Sequence, residues 1–266
     1  MRRITLFLKG NVDVYDSLHS CRLGGRVTWN GLNEILRPQG VSVRLKHETS
    51  TGAQALLEAG GDVPAELAGF DAPLRAYPLE SQFSARLFAS DADAFVLSVM
   101  PEIAARLVRH REKGFLFFPY EAASWPAPLR ERLAREFVEV PPSTVEQSME
   151  ALEGVLERLA ARSDAPVLIY NLSCAAPGEF IHCHLGLEDA FSTVARRFNL
   201  GLIELSARSG VSIVDVDAVL ARAGADRLKL DATHLAPEGC RLVAQEVARI
   251  LADLGVLEEE RACARA

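Results

Sequence analysis

Residues 230–239 read LDATHLAPEG, and this stretch decides how the rest of the chain is interpreted. It places Asp231 and His234 in a loop that follows a strand-like run and leads into an amphipathic helix. A carboxylate at this spacing can fix the tautomer of an imidazole and stabilise the imidazolium, while the other ring nitrogen takes a proton from a hydroxyl nucleophile. The pattern is therefore typical of a hydrolase.

Strand-like apolar runs alternate with helix-period segments along the chain. The runs are short and rich in β-branched or aromatic residues, as buried strands of a parallel sheet are, and they lie at 4–8, 41–45, 94–99, 115–118, 167–170 and 211–214. Helices with one apolar face are predicted at 144–162 and 187–208, and a last helix follows the Asp231–His234 loop. This alternation predicts a doubly wound sheet with active groups at the carboxyl ends of its strands.

The spacing D-x-x-H, with Leu235, Pro237 and Gly239 following before a helix, resembles the last sequence block of the SGNH/GDSL hydrolase superfamily. In that superfamily the block supplies the Asp and His of a Ser-His-Asp triad. The resemblance implies a flavodoxin-like three-layer α/β/α sandwich with a mainly parallel sheet. We expect a single such domain over residues 1–257.

Two segments stand apart from this regular pattern. Residues 59–93 hold a Gly-Gly pair, several prolines and short apolar pieces, and we predict an inserted cap or a long crossover there. Residues 258–266 are charged or small, and they are predicted to form a disordered tail.

The resemblance places the nucleophile just after the first strand, where Ser17 is the candidate. Asp16-Ser17-Leu18 matches the last three letters of the GDSL signature, with Tyr15 in place of glycine. The serine lies in a polar cluster with Asp13, Asp16, His19 and Ser20. An isolated serine can equally be a helix N-cap or a loop hydroxyl.

A competing register aligns Gly10-Asn11 with the Gly-Asp of the signature and leaves Val12 at the position of the nucleophile. The site is then inactive or used for another purpose. Cys21 and Ser20 are further candidates for the attacking group.

The resemblance also implies an oxyanion hole, with a glycine N–H after the second strand and an asparagine side chain after the third. Gly52, which opens a helix, is similar to that glycine, although a plain helix entry explains it as well. Pro101 stands where the asparagine would fall and supplies no donor. Asn11 and Asn171 are the candidate replacements; otherwise the hole is incomplete.

Composition excludes several other classes of protein. The chain of 266 residues has a formal net charge of −7, which gives no basic field for nucleic acid. No apolar run approaches the roughly 18 residues that cross a bilayer, and the first apolar run is too short for a signal peptide, so we expect a cytoplasmic protein. Residues 10–12 also lack the G-x-G-x-x-G of a dinucleotide site.

The cysteines and histidines predict neither a disulfide framework nor a metal site. The five cysteines lack C-x-x-C spacing. His182-Cys183-His184 suggests a metal, yet consecutive residues converge on one ion with difficulty, so a loop beside the active-site rim is the preferred interpretation.

These features together predict an esterase or acyl hydrolase that needs no cofactor and acts on a small acylated substrate. Ser17 would attack a carbonyl carbon, His234 would transfer the proton, and Asp231 would orient His234. An acyltransferase with the same triad is a close alternative. The missing asparagine and the Val12 register leave a catalytically inactive protein that binds a small molecule or a partner as the other.

Overall fold

The computed structural model describes residues 1–177 and 189–258. Within these ranges the chain forms ten β-strands: β1 (Arg2–Lys9), β2 (Cys21–Leu23), β3 (Arg26–Trp29), β4 (Val41–Glu48), β5 (Ala94–Ser98), β6 (Val108–His110), β7 (Leu116–Phe117), β8 (Phe137–Glu139), β9 (Val167–Tyr170) and β10 (Ser212–Val214). The tail predicted at 258–266 lies outside these ranges, apart from Glu258. The His182-Cys183-His184 run also lies outside them.

The same ranges contain eleven α-helices: α1 (Val12–Leu18), α2 (Asn33–Leu36), α3 (Ala53–Glu58), α4 (Leu79–Gln82), α5 (Met100–Ala104), α6 (Ala127–Glu136), α7 (Val145–Ala160), α8 (Phe191–Ser209), α9 (Val216–Ala223), α10 (Ala225–Leu228) and α11 (Pro237–Asp253). The helix predicted at 144–162 begins where expected, because the Thr144 side chain and Gln147 form a capping box. None of the described helices is both long and apolar enough to cross a bilayer.

The chain folds into two compact units. The first comprises Met1–His47, Asp91–Met100 and the chain from Ser163 onward, and the second comprises Glu48–Ser90 and Pro101–Arg162. Each unit has its own sheet and its own apolar cluster.

The first unit is built on a five-stranded sheet in the order β10-β9-β5-β1-β4. The neighbours β1–β5, β5–β9 and β9–β10 pair in parallel. Ile4, Leu6 and Leu8 join the apolar cluster beneath α1 and α11, while the intervening Phe7 is buried on the opposite face. The predicted mainly parallel α/β sandwich is therefore confirmed.

The second unit contains a three-stranded antiparallel sheet in the order β7-β6-β8. The run predicted at 115–118 does form strand β7, but in this sheet rather than in the parallel one. A short apolar run cannot reveal its partner strand, because pairing depends on residues distant in sequence. The segment 59–93 belongs to this unit as well, and Phe70, Leu74 and Phe83 of that segment are part of its aromatic core.

The C-terminal end of α1 is held by the segment that links β3 to α2. The indole Nε1 of Trp29 donates to Ser17 O at 2.7 Å, and Leu32 N donates to Leu18 O at 2.9 Å. This close approach requires Gly31, whose φ is +75° and whose added Cβ would lie 2.2 Å from Leu18 O. A side chain at this position would force the backbone apart.

We predict that Gly31→Ala lowers the free energy of unfolding by roughly 3 kcal/mol or more, because a backbone clash adds to the left-handed strain. Gly40→Ala is the matched control, since Gly40 has φ +81° and open space around the added Cβ. It should lose only about 1–2 kcal/mol. Urea denaturation of both variants measures the difference, and equal losses would contradict the proposed clash.

Candidate active site

Asp231 and His234 form a hydrogen-bonded pair in the loop between α10 and α11. Nδ1 of His234 lies 2.8 Å from Oδ2 and 3.0 Å from Oδ1 of Asp231. The backbone N–H groups of Thr233 and His234 each donate to Oδ1 at 2.8 Å. Of the residues predicted to carry the chemistry, the structure brings these two together.

The carboxylate of Asp231 is held in its charged form. Burial raises its pKa, but the hydrogen bonds from the backbone of His234 and Thr233 and from the imidazole outweigh burial, and the pKa falls to about 2. Asp231 is therefore an anion at any pH at which the protein would work. An anion at this place favours the Nδ1–H tautomer of His234, which leaves Nε2 as a base.

The second ring nitrogen of His234, Nε2, is not bonded to any residue that the structure describes. The side chain is 45% exposed, and within 1–177 and 189–258 its Nε2 has no hydrogen-bond partner. Asp16 on α1 lies near it: burial raises the pKa of Asp16 and the charge of His234 opposes the rise. Val12 is 37% exposed and shares a face of α1 with Asp16, four residues on. At these two positions the face presents an isopropyl group and a carboxylate rather than a hydroxyl.

Ser17 lies about 100° around α1 from Asp16 and is completely buried. Its Oγ donates to Asp13 O at 2.8 Å and lies 3.0 Å from the hydroxyl of Tyr170. Such back-bonding to the preceding turn is a common use of a serine inside a helix. The prediction that Ser17 is the nucleophile does not agree with this placement, because a buried hydroxyl cannot reach the carbonyl carbon of a substrate.

The other two candidate nucleophiles are also poorly placed. Ser20 is 8% exposed, and its Oγ pairs with His19 Nδ1 at 3.0 Å. Cys21 is buried, with 3% of its surface exposed. The competing register, with Val12 in the position of the nucleophile, agrees better with the structure.

Asn171 and Asn11, the two oxyanion-hole candidates in the first unit, both make hydrogen bonds that stabilise the starts of helices. The Asn171 side chain donates to Asp215 Oδ1 at 2.8 Å and accepts from Asp217 N at 3.2 Å, so its amide ties the β9 loop to the start of α9. Asn11 is the buried N-cap residue of α1, and its N–H donates to Asp13 Oδ1 at 3.2 Å. The amide of Asn171 is thus committed elsewhere, which does not suit its predicted role.

Gly52 lies in the second unit, where it precedes α3 with φ +120°. Its N–H donates to Ser50 Oγ at 3.3 Å, and the next N–H, of Ala53, donates to Glu102 Oε1 at 2.7 Å. The predicted helix entry is observed. A role for Gly52 in an oxyanion hole stays a prediction.

A buried polar network at the carboxyl ends of β1, β5 and β9 escaped the sequence analysis. Ser98 Oγ donates to Asp13 Oδ2 and accepts from Met100 N at 3.0 Å. Burial raises the pKa of Asp13, and the hydrogen bond from Ser98 opposes that rise. Burial also raises the pKa of Tyr170. The one available signal was position, since Ser98 lies one residue before the end of the run predicted at 94–99 and Tyr170 ends the run predicted at 167–170.

Comparison with known proteins shows similarity in structure but none in sequence. No protein-family profile and no curated protein matches the chain. The structure aligns with the acetyl xylan esterase AlAXEase over 93% of this chain and 100% of that one, at 15% identity and a TM-score of 0.52. A Streptococcus pneumonia protein provisionally described as a platelet activating factor aligns over 94% and 85%, at 13% identity and a TM-score of 0.51.

A member of the lipolytic G-D-S-L family from Veillonella parvula also aligns, over 95% of this chain and 99% of that one, at 14% identity and a TM-score of 0.45. The two alignments above 0.5 each span more than nine tenths of this chain. The chain has the SGNH-hydrolase fold. The Asp231–His234 pair lies in the loop before α11, and its assignment to the last sequence block of the superfamily stays a prediction. At identities this low the similarity establishes the fold alone.

We predict that Glu102→Gln flattens the pH dependence of stability. Burial raises the pKa of Glu102 to about 7, against the hydrogen bond from Ala53 N. The folded state therefore binds this proton more tightly than the unfolded chain, and unfolding free energy falls as the pH rises from about 4.5 to about 7. The loss should reach roughly 1–3 kcal/mol by pH 8.

Urea unfolding at pH 5 and pH 8 provides the measurement for Glu102→Gln. Glu112→Gln is the matched control, because Glu112 is exposed and should leave the pH dependence of the unchanged protein intact. Equal pH dependence in Glu102→Gln and the unchanged protein would show that the carboxyl of Glu102 does not titrate in this range.

Proposed function

We propose that the protein is a hydrolase of the SGNH fold that cleaves a small carboxylic ester, with the Asp231–His234 pair as its general base. The observation that carries the proposal is the pairing of His234 Nδ1 with Asp231 at 2.8 Å, while the side chain is 45% exposed and Nε2 has no hydrogen-bond partner among residues 1–177 and 189–258. The fold supports it, since AlAXEase shares the fold and is described as an esterase. This geometry suits proton transfer at Nε2.

The proposed reaction uses water as the nucleophile. His234 Nε2 takes a proton from a water molecule as the water oxygen bonds to the carbonyl carbon of the ester. The tetrahedral intermediate then breaks its bond to the alkoxy oxygen, and the imidazolium returns the proton to that leaving group. The products are a carboxylic acid and an alcohol. Asp231 stabilises the imidazolium between the two proton transfers.

We propose water rather than a serine as the nucleophile because of where the residues of α1 lie. Ser17 is buried and its hydroxyl is engaged by Asp13 O and Tyr170. Val12 supplies no attacking atom. A direct attack by water needs neither residue, and it produces no covalent acyl-enzyme.

An acyltransferase is a second candidate, and the same observation favours it. A base that lacks a protein nucleophile can activate any hydroxyl bound beside it, including that of an acceptor alcohol. The products distinguish the two reactions, because transfer yields a new ester whereas hydrolysis yields a free acid.

We predict that His234→Ala and Asp231→Asn each lower kcat/KM for small acetate esters by at least about 100-fold, the range that general-base catalysis contributes. Acid release in a pH-stat, with p-nitrophenyl acetate and acetylated alcohols as substrates, provides the measurement. Ser17→Ala is the control and should stay within about threefold of the unchanged protein, since water attack does not use it.

A serine-directed fluorophosphonate separates this mechanism from the classical triad. We expect no covalent label on the unchanged protein by intact-mass measurement. A label that disappears in Ser17→Ala would overturn the water mechanism. If the unchanged protein and His234→Ala hydrolyse esters equally slowly, the catalytic proposal fails, and the non-catalytic binding protein is favoured.

A further inference from the structure

Lys229 is a buried lysine at the base of the loop that carries Asp231 and His234. Only 6% of its surface is exposed, which is rare for a lysine unless its ammonium is paired. The Nζ donates to Ala232 O at 3.1 Å and also to Ala175 O, in the loop after β9. The ammonium thus joins two loops at the carboxyl end of the parallel sheet.

The loop itself is closed by backbone hydrogen bonds. Lys229 and Leu235 form an antiparallel bridge, and Leu230 N donates to His234 O at 2.9 Å. Ala236 N donates to Leu228 O at 2.8 Å below this bridge. Closure fixes the two ends of the loop but leaves its tip, at Ala232 and Thr233, to be held by side chains.

One peptide group at the tip connects Lys229 to the carboxylate of Asp231. The C=O of Ala232 accepts from the ammonium, and the N–H of the same peptide, on Thr233, donates to Asp231 Oδ1 at 2.8 Å. Because a peptide group is planar, fixing its oxygen also fixes the direction of its N–H. A cation on the oxygen polarises the group and strengthens the hydrogen bond that its N–H donates.

We propose that Lys229 is a positioning residue of the site, whose ammonium fixes the Ala232–Thr233 peptide so that its N–H holds the Asp231 carboxylate against His234. The effect on rate rests on the hydrolase function proposed above, whereas the effect on Asp231 does not. Without the ammonium the peptide can rotate, and Asp231 loses one of the N–H groups that keep it ionised. The carboxylate then holds the Nδ1–H tautomer of His234 less firmly.

The sequence alone does not indicate this role for Lys229. Lys229 lies in the run Arg227-Leu228-Lys229-Leu230-Asp231, where a lysine would ordinarily be a solvated charge beside an acidic residue. The structure turns it inward, next to the ring of Phe191, with Nζ 5.8 Å from the ring centroid. Cation–π attraction at this distance helps to offset the loss of hydration.

The test compares Lys229→Met, Lys229→Arg and the control Arg227→Met. Arg227 is an exposed cation two residues away, bonded to Ala223 O, so its loss reports the effect of charge alone. The side-chain carboxyl carbon of Asp231 is titrated by ¹³C NMR in the absence of substrate. We expect the pKa of Asp231 to rise by at least one unit in Lys229→Met and by much less in Lys229→Arg and Arg227→Met.

A rate measurement accompanies the titration. In Lys229→Met we expect kcat to fall at least tenfold with KM within about twofold, because positioning acts on the reacting geometry, and Lys229→Arg should recover most of the loss. An unchanged Asp231 titration in folded Lys229→Met would overturn the proposal. Should no ester hydrolysis be detected in the unchanged protein, the titration still decides the role of Lys229, because it needs no turnover.

A measurement on the unchanged protein applies even if Lys229→Met fails to fold. The Thr233 amide should exchange with solvent deuterium at least tenfold more slowly than the amide of Gly25, which lies in an exposed turn. Equal exchange rates would show that the Ala232–Thr233 peptide is not held, and the positioning role would be refuted.

Discussion

The hydrogen bonds that the Asp231 carboxylate receives are the constraint on which the site depends. They come from the N–H groups of Thr233 and His234, from the Thr233 hydroxyl and from the imidazole, all within three residues of the acid. Together they keep the acid charged and orient the ring. The start of α11 packs closely against the base of this loop, since an added Cβ on Gly239 would lie 2.6 Å from Leu228 O. Only glycine lets α11 begin so close to the base of the loop.

The orientation of α1 decides which of its side chains are buried in the core: Val14, Ser17 and Leu18. Helix α1 follows directly after β1, so it begins at the carboxyl edge of the sheet. There Asp13 accepts a hydrogen bond from Ser98, at the end of the neighbouring strand β5. With α1 anchored in this way, the Ser17 hydroxyl lies 3.0 Å from that of Tyr170, and the charge of His234 opposes the rise that burial causes in the pKa of Asp16. Successive residues of an α-helix are rotated by about 100°, so a shift of one position along α1 is enough to move a side chain from the core to the surface. Because the Ser17 hydroxyl is buried and engaged by Asp13 O and Tyr170, the proposed mechanism takes water as the attacking group.

The second unit is formed by two insertions into the parallel fold. One follows β4 and the other follows β5, so both leave the sheet at carboxyl ends of strands, where insertions are well tolerated. The two segments share an aromatic core, in which Phe117 packs against Phe70 and Phe137 at centroid distances of 5.5 and 5.6 Å. The segment 59–93, predicted as a cap or crossover, supplies part of that core. A role in substrate access stays a prediction.

The sequence by itself determined the features that depend on neighbouring residues. The D-x-x-H spacing predicted the Asp231–His234 pair, because every hydrogen bond in it spans at most three residues, and hydrophobic periodicity predicted α7 and the five strands of the main sheet. Tertiary structure alone decided the rest. Ser17 is buried against Tyr170, which is 153 positions away in the sequence. Strand β7 pairs with β6 of the antiparallel sheet, and nothing in the residues of β7 indicates that partner. The Lys229 ammonium points inward and donates to carbonyls of two loops. Burial and long-range pairing are properties of the packed chain, and no local pattern carries them.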